Sequence, residues 1–175
     1  MYTTQVVGED GAIPDLIGTD TTGRPVVIIE AKFWAGLTDN QPVTYIKRLD
    51  AGKKSLLLFI APAARFSTLW PVLIRRAGLE ESLSQKLSNE FYKINITEKQ
   101  IMAIVSWRFV LDAMIVELQS VGEHDVAADA MQLLGLCSQM DTDAVGFIIT
   151  GGRVGSEYAE YLRKLPLRLE ITGPL

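Results

Sequence analysis

The sequence has one cysteine and one histidine in 175 residues. A single thiol, Cys137, excludes an intramolecular disulfide framework and any cysteine-rich zinc site. Its apolar surroundings suit a buried, inert side chain. His124 follows a helix stop and suits the loop before the next helix; no serine or cysteine nucleophile pairs with it in a recognised motif. No uninterrupted apolar run approaches the roughly 18 residues of a membrane-spanning helix. The N-terminus lacks the charged and apolar regions of a secretory signal. These absences point to a cytoplasmic protein with no membrane partner. Internal repeats and low-complexity segments are also missing.

What remains is the composition of a folded domain. Hydrophobic residues make up 48% and charged residues 22%, and the length suits one domain with a real core, spanning 1–175. The net charge of −4 does not advertise a polyanion partner, but it is unevenly spread. Met1 to Arg76 holds nine basic and seven acidic residues, and Ala77 to Leu175 holds eight and fourteen. Nucleic-acid binding needs positive charge locally rather than globally, so the first half is the candidate.

That half contains a hairpin pattern. Two apolar runs, Leu16-Ile17 and Val26 to Ile29, flank the turn signal Asp20-Thr21-Thr22-Gly23-Arg24-Pro25. With Thr22-Gly23 as the turn, facing residues have numbers that sum to 45, and Asp15 faces Glu30. Opposed residues project from one face, and Lys32, two beyond Glu30, joins them. Like charges so placed repel unless a cation sits between them. Two carboxylates suit a hard divalent ion, Mg²⁺ or Mn²⁺. A slip of one residue would put Asp15 and Glu30 on opposite faces.

Downstream, Thr38, Asp39 or Asn40 can cap a helix with Pro42 in its first turn, running to about Asp50. Gln41 and Tyr45, four apart, share its face. Ser55 to Ile60 is a nearly pure apolar run that fits an interior strand, and Tyr2 to Val7 is β-prone.

Pro14-Asp15, then Glu30-Ala31-Lys32 ending an apolar strand, then Gln41-Pro42-Val43-Thr44-Tyr45, resemble the PD-(D/E)xK nuclease signature with the Gln-x-x-x-Tyr motif of its exonuclease-type branch. The likeness covers Ile13 to Tyr45 and extends loosely to Pro62. It implies an α/β, restriction-endonuclease-like fold: a mixed central sheet flanked by helices, with a motif-bearing core in 1–62 and a mostly helical remainder in 63–175. The helix that usually opens this fold has no counterpart here. The resemblance further implies metal-dependent hydrolysis of phosphodiester bonds in DNA, or RNA. Asp15, Glu30 and the Ala31 carbonyl would ligate Mg²⁺, with Mn²⁺ as substitute. Lys32 would serve the attacking water, and Gln41 and Tyr45 would position strand or water. Lys47, Arg48, Lys53 and Lys54 are candidates for phosphate contacts, and Trp34 for stacking on a base. Two other readings stand beside this one: an inactive nuclease-like binding module, and an oligomeric interaction protein.

The rest of the chain predicts a helix over Arg65 to Ala77, a second helical piece over Leu79 to Glu90 with Leu79, Leu83 and Leu87 in register, and a strand over Phe91 to Ile96. Thr97-Glu98-Lys99-Gln100 reads as a capping box opening the longest helix, Glu98 to about Val121. That helix is apolar around most of its circumference, which predicts burial or a homodimer. Asp125 to Met140 would form a helical hairpin with it. Phe147 to Thr150 reads as a strand. Gly151 to Ser156, lacking the Lys-Ser/Thr of a phosphate loop, reads as a turn before a helix at Glu157 to Lys164.

Overall fold

The computed structural model describes residues 1–4, 12–33, 35–38 and 41–150, the last ten as backbone. The chain divides into two compact units, Met1–Asp141 and Thr142–Leu175. The first unit is α/β, as expected. It contains an open mixed sheet of seven strands: β1 (Tyr2–Thr4), β2 (Leu16–Thr19), β3 (Pro25–Ala31), β4 (Ser55–Ala61), β5 (Gln85–Ser88), β6 (Phe91–Asn95) and β7 (Gln100–Ser106), in the order β1-β2-β3-β4-β7-β6-β5. The central three, β3, β4 and β7, run parallel, and the outer pairs are antiparallel. Each central strand is an almost unbroken apolar run, the pattern of strands with both faces occupied.

The β2–β3 hairpin keeps the expected register. Leu16 faces Ile29, Ile17 faces Ile28 and Gly18 faces Val27, all summing to 45, before a bulge at Gly18/Thr19. The turn is fixed chemically. Asp20 Oδ1 accepts from the Thr22 N–H (2.8 Å), the Thr22 hydroxyl (2.7 Å) and the Arg24 N–H (3.0 Å). Gly23 supplies φ +80, a conformation that costs a side-chain-bearing residue.

Helices α1 (Val43–Arg48) and α2 (Phe66–Arg76) belong to the side of the sheet that carries the core. Ile28, Leu57, Phe59, Met102 and Ile104 from the strands meet Tyr45, Leu49, Leu69, Trp70 and Leu73 there. Fully burying such side chains contributes roughly 1.5–3 kcal/mol each. Helix α3 (Trp107–Ser120) packs against the other side, with Phe109 5.5 Å from Phe91. It ends at Gly122, as expected: Glu123 N–H donates to Leu118 O (2.9 Å) and Gly122 N–H to Gln119 O (3.2 Å), with Gly122 at φ +82. Helix α4 (His124–Thr150) follows, and in its first part Ser138 Oγ accepts from Arg108 Nη2 at 3.0 Å. Cys137 on α4 is buried. None of the described helices is long and apolar enough to cross a membrane.

Several expectations fail, and each has a physical cause. Gln100–Ser106 is strand β7, not the start of a long helix. Thr97 does accept from the Gln100 N–H (3.0 Å), as a capping box would, but it closes the β6–β7 turn instead. An apolar run with both faces buried carries no strand period, so sequence spacing cannot separate it from a buried helix. The remainder after residue 62 thus carries β5, β6 and β7 besides its helices. Leu79 to Glu90 is a short 3₁₀ turn, Glu81–Leu83, followed by β5. Leu83 and Leu87 are exposed and only Leu79 packs against the core, so the supposed stripe does not form. Phe147 to Thr150 continues α4 instead of forming a strand. Strand β1 is described only as Tyr2–Thr4. Asp39, Asn40 and the segment 151–175, where a glycine turn and a helix were expected, lie outside the described residues.

Candidate active site

Strand β3 ends where Glu30, Ala31 and Lys32 leave the sheet. Ile28 and Glu30 share the core face, and the periodicity that buries Ile28 also turns Glu30 inward. A buried carboxylate needs partners, and Glu30 has three. Lys32 Nζ stands 2.6 Å from Oε1. Gln41 Nε2 donates to Oε1 at 2.9 Å, and the Tyr45 hydroxyl donates to Oε2 at 3.0 Å. All four side chains are buried.

Gln41 is fully used. Its second Nε2 hydrogen goes to the Tyr45 oxygen (2.9 Å), and its Oε1 accepts from the Thr38 N–H (3.2 Å). Gln41 precedes α1, whose first residue is Val43, with Pro42 at the cap position and no side-chain cap. The four-residue spacing nevertheless brings Gln41 onto Tyr45.

Asp15 lies just before β2 on an exposed position, and its Oδ2 accepts from the Ala31 N–H at 2.7 Å. Continuing the hairpin register puts it opposite Glu30. In a strand, the N–H and C=O of one residue serve the same neighbour, so the Ala31 carbonyl faces the Asp15 side. The next N–H, that of Lys32, faces β4 and donates to Ile60 O (2.7 Å).

Among the described residues no group of three or more His, Cys, Asp or Glu side chains could hold a metal ion. The Asp15 and Glu30 carboxylates and the Ala31 carbonyl, the ligands that the resemblance implies, offer only oxygen. This all-oxygen set fits a hard divalent ion and suits no soft one. A cation at Glu30 Oε1 would share that oxygen with the Lys32 ammonium.

The Tyr45 hydroxyl is pushed up to about 12, first by burial and further by the neighbouring Glu30 charge, against the opposing hydrogen bond from Gln41. An unfolded tyrosine titrates near 10. The folded state therefore holds the proton where the unfolded state releases it. The resulting stabilisation is complete below about pH 10 and is lost as pH rises from about 10 to 12. Alkaline titration followed by tyrosinate absorbance is expected to show one late-ionising residue that vanishes in Tyr45→Phe; an unchanged curve would contradict this placement.

The basic residues divide. Lys47 is exposed on α1 and Lys54 is exposed before β4. Lys53 is paired with Asp20, and this pairing, above the other contacts, holds the Asp20 carboxyl well below the usual range. Arg48 donates to Ala12 O (2.7 Å) and lies over the Tyr45 ring at 5.9 Å, so it braces the fold. Lys53 and Lys54 precede β4, whereas Glu30 and Ala31 pair with its far end at Phe59 and Ile60. Five residues of strand, about 17 Å, lie between the two ends. The structure therefore does not bring Lys53 and Lys54 to Glu30. Trp34 lies outside the described residues.

Two arginines of this region escaped sequence reasoning. Arg65 Nη1 donates to Phe33 O (2.6 Å) and Ala35 O (3.2 Å). Arg76 Nη1 donates to Thr38 O (2.6 Å) and Gln41 O (3.3 Å). Contacts from a helix to loop carbonyls some 30 residues away leave no spacing signal. Phe33 also stacks on Trp107, centroids 5.3 Å apart and planes at 21°. Compared with known proteins, the chain matches no family model, no curated protein and no solved structure.

Proposed function

We propose that this chain is a metal-dependent phosphodiesterase of the PD-(D/E)xK type, with a restriction-endonuclease-like fold and a nucleic-acid substrate, DNA before RNA. The observation that carries the reading is the meeting of Lys32, Gln41 and Tyr45 on the Glu30 carboxylate. Beside it, Asp15 is tied to the Ala31 peptide. Residues from both parts of the resemblance, the Glu-x-Lys strand end and the Gln-x-x-x-Tyr segment, thus form one hydrogen-bonded cluster.

Asp15, Glu30 and the Ala31 carbonyl would hold Mg²⁺, with Mn²⁺ as substitute. Bound there, the ion would polarise the phosphoryl oxygen and lower the pKa of a bound water. The chain's own groups do the remainder. Lys32 orients the attacking water and offsets negative charge building on the phosphoryl oxygens. Tyr45, protonated at neutral pH, donates to Glu30 and fixes the carboxylate plane. Gln41 links the two and holds their spacing. Cleavage of labelled nucleic acid with and without Mg²⁺ tests the reading.

A second reading, an oligomeric interaction module, is favoured by the exposed apolar side chains Phe109, Met114, Val116 and Val121 of the α3 region and Leu133 and Leu136 of α4. Its mark is a solution mass of twice 19.3 kDa together with absence of any cleavage.

A further inference from the structure

Between Lys32 and Gln41 the chain leaves the sheet, and its carbonyls lose strand partners. Half-buried carbonyls without donors are costly. Four of them are served by helix α2, from its two ends. Arg65, at the cap position before α2, takes Phe33 O and Ala35 O, and Arg76, its last residue, takes Thr38 O and Gln41 O. Eleven residues of helix span about 16 Å, which matches the two arginines to the two ends of the segment. Neither guanidinium has a carboxylate partner among the described residues.

Arg65 is half-buried, and its guanidinium serves backbone carbonyls. Burial lowers the Arg65 pKa, so desolvation works against the charge, and the geometry that offsets it is specific. The Phe33 carbonyl belongs to the residue immediately after Lys32. On the preceding side, the Lys32 N–H is held by Ile60 O at 2.7 Å. On the opposite face of the sheet end, the Phe33 ring lies on Trp107. The Lys32 backbone is thus held by β4, by α2 and by the first residue of α3.

We propose that Arg65 is a positioning residue for Lys32: by binding the Phe33 and Ala35 carbonyls it holds the Lys32 ammonium on Glu30 Oε1, where the proposed reaction needs it. The catalytic half of this statement rests on the phosphodiesterase reading; the positional half does not. An ammonium needs sub-ångström placement to serve a water and a phosphoryl oxygen together. The Glu30 pair alone fixes only one end of a flexible four-carbon side chain.

The test is competitive acylation of lysines with acetic anhydride on the full chain, read residue by residue by mass spectrometry. In the parent, Lys32 should react at least about tenfold more slowly than exposed Lys47 and Lys54, since it is buried and paired. Arg65→Gln should raise Lys32 reactivity several-fold and leave Lys47 and Lys54 at parent rates. Arg65→Lys, which keeps the charge and a donor, should fall between parent and Arg65→Gln, and it also serves where Arg65→Gln folds poorly. Arg76→Gln should leave Lys32 near the parent rate. Under single-turnover conditions Arg65→Gln should lower the cleavage rate constant more than substrate affinity. Unchanged Lys32 reactivity in both Arg65 variants overturns the proposal, as does an equal rise in Arg76→Gln. A parent that cleaves nothing refutes the phosphodiesterase reading, while the acylation pattern still decides the positioning role.

Discussion

Replacing Lys32 with alanine is expected to slow phosphodiester cleavage by about a hundred- to a thousand-fold while leaving Mn²⁺ affinity intact or tighter. The rate effect follows from removing one preorganised donor to developing transition-state charge, which typically costs on the order of 2.7–4 kcal/mol. The affinity effect follows from geometry. The ammonium stands 2.6 Å from Glu30 Oε1, the oxygen it would share with a metal ion. Its removal leaves that oxygen with Gln41 alone and strengthens the net negative charge of the site. Glu30 keeps two hydrogen bonds, from Gln41 and Tyr45, so the carboxylate remains in place. Single-turnover kinetics and calorimetric Mn²⁺ titration of the same protein separate the two effects. Weakened Mn²⁺ binding with an unchanged cleavage rate would reverse the assigned roles.

Replacing Glu30 with alanine is expected to be the most damaging single change to stability. It strands the buried Lys32 ammonium and removes the acceptor used by both Gln41 Nε2 and the Tyr45 hydroxyl. Removing one partner of a buried pair typically costs about 3–5 kcal/mol. For a chain of this size, each kcal/mol shifts the melting temperature by roughly 2–4 °C, which gives a fall of about 6–20 °C. The double variant Glu30→Ala/Lys32→Met should recover part of the loss, because the uncompensated charge is then gone. Thermal melting of the two variants and the parent checks this. A double variant no more stable than the single one would show that the ion pair is not the source of the effect.

The site was more legible in the sequence than the sheet that carries it. The assumed two-residue turn at Thr22-Gly23 is in fact wider, with the Asp20 N–H donating to Arg24 O, and the bulge at Gly18/Thr19 brings the ladder to the counted register. Counting along the ladder then brought Asp15 opposite Glu30, and helical spacing brought Gln41 to Tyr45. Both are local relations, set within a few residues of a turn or a helix start. The central strand β7 was hidden because Gln100 to Ser106 is apolar on both faces, and because Thr97 makes a cap-like hydrogen bond at a hairpin. Leu79, Leu83 and Leu87 repeat at a helical interval by chance, since two of the three are exposed on a strand or short turn. Lys53 pairs with Asp20, 33 residues away, a partner that a charged surface residue does not announce in the sequence. The carbonyl contacts of Arg65 and Arg76 are hidden for the same reason.

The central claim is that Asp15 and Glu30 form a metal site at which phosphodiester bonds are cut. The most direct measurement is single-turnover cleavage of labelled single- and double-stranded DNA and RNA by the parent and by Asp15→Ala, with Mg²⁺, with Mn²⁺ and with chelator. Metal-dependent cleavage of at least one substrate by the parent, abolished by chelator and by Asp15→Ala, is the predicted result. No cleavage by the parent on any of them, or cleavage that persists in chelator or in Asp15→Ala, would contradict the claim.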